Sequence, residues 1–183
     1  MKFIKYLFLI LFLFGFNQIK AEDRNNRLDI LFKELKINND SITPGTEQKI
    51  WKIWSTHPIN QQLTTKLEEG SALVRNKKLS EAVKIFTEVI NKDPQWAEAW
   101  NKRATVLYIL GDYQGSQNDI DKVLKLEKRH FGALAGQGLV NIKLGNYEKA
   151  IESYEKAREI YPAMQSPEIM IRQIKELIKQ DLI

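Results

Sequence analysis

The side chains able to carry chemistry are few and scattered. His57 and His130 are the two histidines of the 183-residue chain, the residue type that most readily exchanges protons near neutral pH. Both sit at predicted helix ends, and neither belongs to an HExxH or other i, i+4 pair that would hold zinc on one helix face. The chain has no Cys, which removes thiolate zinc sites and cysteine nucleophiles. Gly115-Ser116 lacks the GxSxG elbow and opens a predicted helix instead of a strand-to-helix turn. Gly132, Gly136 and Gly138 have the glycine density of a phosphate-binding loop, but no strand precedes them and no GK[ST] follows. They fall inside a predicted helix, where glycine admits close packing or leaves room in a groove. The sequence therefore predicts a non-catalytic protein with no cofactor and no metal. A hydrolase or transferase would need polar groups that only folding brings together.

Composition narrows the class further. At 43% hydrophobic and 10% aromatic residues the chain has enough apolar side chains to order itself. With 9 Gly, 5 Pro and no Cys it is neither collagen-like nor disulfide-stapled. The formal charge of +5 comes from 28 basic and 23 acidic residues, and Lys2, Lys5 and Lys20 supply three of the basic ones. Setting residues 1–21 aside leaves 28 − 3 = 25 basic against 23 acidic residues, or +2. No nucleic-acid partner is expected from so even a balance.

Those first 21 residues have the order of a secretory leader. Lys2 and Lys5 precede an apolar run from Tyr6 to Phe16, and Ile19-Lys20-Ala21 leads into the acidic pair Glu22-Asp23. The run is about eleven residues, short of the roughly 20 that span a bilayer as a helix. Cleavage after Ala21 is expected, with delivery to the periplasm or secretion. An uncleaved leader would instead be the chain's one membrane contact.

The rest of the chain repeats with a period of 34. Blocks 63–96, 97–130 and 131–164 align without a gap. Gly70, Ala104 and Gly138 share one slot; Leu79, Tyr113 and Tyr147 the next; then Ala82, Ser116 and Ala150; then Phe86, Ile120 and Tyr154. Gly111 and Gly145 mark a turn where the first block has Lys77, and Pro94 and Pro162 close the first and third blocks. Each block reads as two helices. Trp100, Ala104 and Leu107 lie on one face of the first helix in block two, and Ile120, Val123 and Leu124 on the inner face of the second. Gly111-Asp112 separates them, since glycine accepts the left-handed conformation that closes a helix. Periods of this length mean stacked units that bury one continuous core.

The strings Ala97-Glu98-Ala99-Trp100 through Leu110-Gly111-Asp112-Tyr113, and Leu144-Gly145-Asn146-Tyr147 through Ala157 and Pro162, resemble tetratricopeptide repeats over residues 63–164. The resemblance implies an all-α fold, a right-handed α-solenoid of helix-turn-helix repeats with helical caps. There are departures. The Leu usual before the first small residue is Glu69, Arg103 and Gln137 here, Ser116 replaces an Ala, and Lys128 a Pro. Glu69 and Arg103 share that register, and either pair across adjacent repeats or reach separately into solvent.

The resemblance also implies a concave groove lined by the first helices, able to hold an extended peptide or a partner's helix. Its register falls on Leu67, Ser71 and Val74 in block one. Block two contributes Glu98, Asn101, Lys102, Thr105 and Tyr108, and block three Ala135, Leu139, Ile142 and Lys143. The family's basic clamp for a terminal carboxylate is not reproduced: Leu67 and Ser71 occupy its Lys and Asn slots, and Gly132 and Gly136 its later basic pair. The partner expected is a protein or peptide. The alternative is a self-assembling or membrane-held spacer of the envelope.

Two flanks complete the organisation. Residues 22–62 read as a helical pair, Leu28–Ile37 and Pro44–Thr56, with Thr43 as cap and Asn38–Ser41 as the turn; it resembles a degenerate extra unit or cap, with Trp51 and Trp54 as core. Residues 165–183 read as a capping helix whose stripe Ile171, Ile174, Leu177 and Ile178 lies on the second helix of block three.

Overall fold

The computed structural model describes residues 22–37 and 43–181, so the leader and the turn at 38–41 lie outside the described residues. The described chain is helical throughout. Helix α1 covers 22–36, α2 Thr43–Ser55, α3 Gln61–Arg75, α4 Leu79–Lys92, α5 Ala97–Ile109, α6 Tyr113–Leu126, α7 Phe131–Lys143, α8 Tyr147–Ile160 and α9 Gln165–Asp181. Helices α3 to α8 are the three predicted pairs, each packed on its predecessor.

The 34-residue ladder is a packing device. Sixteen residues separate each small residue from the large one it faces across a pair. A Cβ at Gly70 would lie 2.5 Å from the Phe86 ring, and one at Gly138 2.5 Å from the Tyr154 ring. Ala104 meets Ile120 in the same way. Phe86, Tyr154 and Ala150 are wholly removed from water. The small side of each contact lets the paired backbones approach closely enough for the aromatic ring to fill the space between them.

All three turns close alike. The N–H groups of Lys78, Asp112 and Asn146 donate back to the carbonyls of Leu73, Leu107 and Asn141, and those of Lys77, Gly111 and Gly145 to Val74, Tyr108 and Ile142. This double closure places the residue after the helix at positive φ. Gly111 stands at 84° and Gly145 at 75°, and Lys77 adopts 58° in the same slot. The repeat geometry imposes a left-handed conformation on a residue with a Cβ, at a cost of about 1–2 kcal/mol.

Along the array, α3 touches α5 and α5 touches α7, while the second helices α4, α6 and α8 stand further apart. The stack therefore curves with the first helices on the inside. At its end α9 packs on α8, with Ile174 fully buried and Ile171 nearly so beside Tyr154 and Ala150. Leu177 of the predicted stripe is left in solvent. Arg103 does not pair with Glu69. Its guanidinium forks onto Asp119, Nε to Oδ2 at 2.7 Å and Nη2 to Oδ1 at 2.8 Å, and Nη1 donates to Thr87 at 3.0 Å. Asp119 lies on the facing helix at the same sixteen-residue offset as the core pairs, while Glu69 on α3 points into solvent.

The N-terminal pair does not extend the stack. Helix α2 is not laid along α3 as α4 is along α5; with α1 it crosses the corners where one repeat passes to the next. At the first corner, Trp96 Nε1 donates to the Trp54 carbonyl at 2.8 Å and His57 Nε2 meets Asp93 at 2.8 Å. At the second, Trp54 stacks on His130 with centroids 4.0 Å apart and planes 8° from parallel, and Arg129 binds Asp29 while lying over Phe32. At the third, the Tyr161 hydroxyl donates to Glu47 at 2.9 Å, and burial with that carboxylate pushes the phenol up to about 12. Leu28, Phe32, Leu35, Ile50, Trp54 and Phe131 fill the seam between. One brace thus spans all three repeats.

Candidate functional site

The inner face divides into two ends. At the end nearest the start of the first helices the brace covers it. Thr64, Glu98 and Gly132 hold the same register in the three blocks; Thr64 and Glu98 are buried, and Trp51 fills the space a Cβ at Gly132 would occupy, 2.6 Å away. Towards the other end of these helices the face opens.

Glu98 anchors the closed end. Its Oε2 receives His130 Nε2 at 3.0 Å and Asn101 Nδ2 at 3.0 Å, and its Oε1 has the Lys102 ammonium at 3.2 Å. The carboxylate and the imidazole are both fully screened from water. His130 Nδ1 accepts the Ala133 N–H at 3.1 Å as the cap of α7, so the ring proton sits on Nε2 and points at Glu98. Burial pushes the Glu98 carboxyl up, but the His130 hydrogen bond and the Lys102 ammonium together outweigh it and hold it below the usual carboxylate range. His57 repeats the arrangement at the first corner: Nδ1 accepts from Asn60 N–H at 3.0 Å and Nε2 meets Asp93. Both histidines thus accept a backbone N–H on Nδ1 and meet a carboxylate on Nε2, His130 as the N-cap of α7 and His57 in the turn before α3, whose cap is Asn60. Among the described residues no group of three or more His, Asp or Glu could hold a metal.

The candidate groove residues separate accordingly. Leu67 and Glu98 are 2% and 1% exposed, so neither is open to a ligand. Ser71 and Val74 are half-buried on α3, the Ser71 hydroxyl donating to the Leu67 carbonyl at 2.9 Å. Ala135 and Ile142 pack against the Tyr154 and Ile174 cluster under α9. Lys102 is held by Glu98, and Lys143 is exposed on α7. What the fold does bring together is Asn101, Thr105, Tyr108 and Leu139, around a cavity of about 70 Å³ between α5 and α7. Gly132 and Gly136 form its α7 wall, and Ile120 reaches it from α6. A Cβ at Gly136 would meet nothing nearer than Ile120 Cδ1 at 3.7 Å. The glycines therefore do both things the sequence suggested: Gly132 admits Trp51, and Gly136 leaves room in the groove.

Sequence reasoning missed Glu98 and His130 as a couple, and missed the brace. The only sequence signal for either was the placement of each histidine where a helix begins or has just ended.

Comparison with known proteins bears on this geometry. The model of the tetratricopeptide repeat matches residues 132–164, and a second tetratricopeptide-repeat model matches 67–116. A TPR repeat-containing protein of Rhizobium etli is 29% identical over 150 residues, which cover 82% of this chain and 74% of that one. Hsp70-Hsp90 organizing protein 1 of Glycine max is 29% identical over 113 residues, 62% of this chain but only 20% of that protein. Among solved structures, the first TPR of Spaghetti (RPAP3) bound to an HSP90 peptide is similar with a TM-score of 0.63 at 21% identity, covering 65% of this chain and 94% of that chain. Crystalline MamA is similar with a TM-score of 0.60 at 22% identity, covering 73% and 77%.

Proposed function

From the premise that the chain is a tetratricopeptide-repeat protein, we propose that it is a non-catalytic binding module, holding an extended segment of a partner protein in the open end of its inner groove. The observation that carries this reading is the cavity between α5 and α7. There Thr105 and Leu139 are exposed and Tyr108 half-exposed at the mouth of a preformed pocket, while the end of the inner face at Thr64, Glu98 and Gly132 is closed by the brace. Similar repeats hold a peptide, as the RPAP3 domain does with its HSP90 peptide. The leader-like order of residues 1–21 supports a location outside the cytoplasm, as a periplasmic or secreted protein.

The mechanism is preorganisation. The brace ties three repeats at three corners, so the groove keeps its curvature and the ordering cost of binding falls mainly on the partner. Tyr108 supplies a rigid aromatic contact and Asn101 a fixed polar one.

The test is capture of a partner from the native envelope by the purified chain, repeated with Asn101→Ala and Tyr108→Ala together. A partner retained by the wild type and lost from the double variant supports the groove. Unchanged capture by the double variant overturns it.

A further inference from the structure

A second cavity lies in the brace, between α1, α2 and the turn that follows α2. It measures about 320 Å³, far above what a single water requires. Among the described residues it shares no lining side chain with the α5–α7 cavity. Three cations line it: Arg24 and Arg27, one turn apart on α1, and Lys52 from α2. Asp23 is the one acid beside them, so three positive charges face one negative. His57 forms part of the wall, but both its nitrogens are engaged, with the Asn60 N–H and with Asp93.

Arg24 is held in place but not neutralised. Its Nη2 donates to the Ile53 carbonyl at 2.8 Å, which fixes the guanidinium near the end of α2 and leaves its other N–H groups unspent. Burial holds that guanidinium below its ordinary value, and the pull of Glu127 and Asp93 offsets only part of the cost. Both carboxylates are committed elsewhere. Asp93 meets His57 at 2.8 Å and accepts the Gln95 N–H at 2.9 Å, while Glu127 takes Nε and Nη2 of Arg129, each at 2.9 Å. Arg27 and Lys52 are exposed, and among the described residues neither has a carboxylate within ion-pair distance. The chain itself does not balance this cluster.

We propose that this cavity binds a phosphate group. Arg24 and Arg27 each present a planar fork that matches two phosphate oxygens, and Lys52 adds a point charge from the facing helix. Cations on two helices suit a tetrahedral group that offers oxygens in several directions. A planar carboxylate, with two oxygens, would leave part of the cluster unmet. The leader-like run ends at residue 21, directly before α1, so a lipid headgroup is one source of the group and free phosphate the other. The site lies outside the groove and does not rest on the groove reading.

The experiment titrates the purified full chain with inorganic phosphate by calorimetry, with acetate as the control anion. The same chain is sedimented with phosphatidylcholine vesicles that contain or lack phosphatidic acid. Saturable binding of phosphate, with acetate weaker, is the expected result. Arg27→Gln with Lys52→Gln removes two exposed charges and should weaken phosphate about tenfold, the worth of one charge-assisted hydrogen bond, with the melting temperature kept. Lys122→Gln with Lys125→Gln lowers the net charge equally on the exposed face of α6 and should change nothing. Arg24→Lys keeps a donor for the Ile53 carbonyl but loses the fork, and should weaken phosphate severalfold. Retention that needs phosphatidic acid and falls with the Arg27 and Lys52 pair assigns the group to a headgroup. Retention indifferent to that pair, with phosphate binding lost, assigns it to free phosphate. The leader is common to every variant and cancels from these comparisons. The proposal is overturned if neither phosphate nor phosphatidic acid is bound through Arg27 and Lys52, if acetate matches phosphate, or if the α6 pair weakens binding as much.

Discussion

The two ends of the inner face are built from the same helices and the same registers, yet they have opposite fates. At the closed end, Glu98 and Gly132 are spent on holding the brace: one binds His130, the other makes room for Trp51. At the open end, about two to three turns along the same helices, Thr105, Tyr108 and Leu139 have no helix over them. A position's role in a repeat is therefore set by what covers it as much as by its place in the period. The closed end supplies rigidity and the open end supplies contact, and a variant should affect one without the other.

The sharpest separation is expected at the brace. Trp54 is 3% exposed, stacked on His130 and packed on Phe32 and Phe131. Trp54→Ala should cost about 3–5 kcal/mol in urea unfolding, the usual range for emptying such a site. A loss below about 1 kcal/mol would mean that the brace is held elsewhere.

Two glycines on α7 give the next contrast. Gly138→Ala drives a methyl group into the Tyr154 ring, 2.5 Å away, and should cost roughly 1–3 kcal/mol by overpacking. Gly136→Ala faces the cavity, where the added methyl group would make an ordinary contact with Ile120 Cδ1 at 3.7 Å, and should be neutral or stabilising by up to about 1 kcal/mol. Equal melting temperatures for the two would remove the distinction between a packed glycine and a pocket glycine.

Smaller still is the turn. Lys77→Gly relieves a left-handed residue with a side chain and should raise stability by about 1 kcal/mol, while Gly111→Ala, at φ 84°, should lower it by a similar amount. Thermal melts of the pair decide whether the turn geometry is imposed by the repeat.

The acid response is the most local. The folded Glu98 carboxyl titrates below its ordinary value. Its contribution is therefore present in full above the unfolded value of about 4.3 and is lost as pH falls through the folded one. Glu98→Gln should flatten the fall in stability below about pH 4.3 while leaving the neutral side unchanged in slope. An acid limb identical in the two proteins would contradict the coupling with His130 and Lys102.

Much of this fold was legible in the chain. The period of 34 fixed the helix pairs and their turns, including the slot that Lys77 shares with two glycines, and the apolar stripe of 165–183 placed its helix on α8. The repeat register was enough because core contacts recur sixteen residues apart in every block. It could not say where residues 22–62 would lie, since a stripe of Ile50, Trp54 and neighbours names a buried face without naming the surface that buries it. The groove reading suffered for the same reason: Glu98 has the right register, and the brace removes it from reach. Arg103 was misread because its reach runs across the pair to Asp119, a contact the alignment of one register with itself does not contain.

The central claim is that the open end of the inner face is where a partner docks. A photo-crosslinking residue placed at Thr105, in the native organism, tests it most directly against the same residue at Lys122 on the exposed face of α6. A discrete adduct from position 105 and none from position 122 is the predicted result. Adducts of equal yield from both positions, or from position 122 alone, would contradict it.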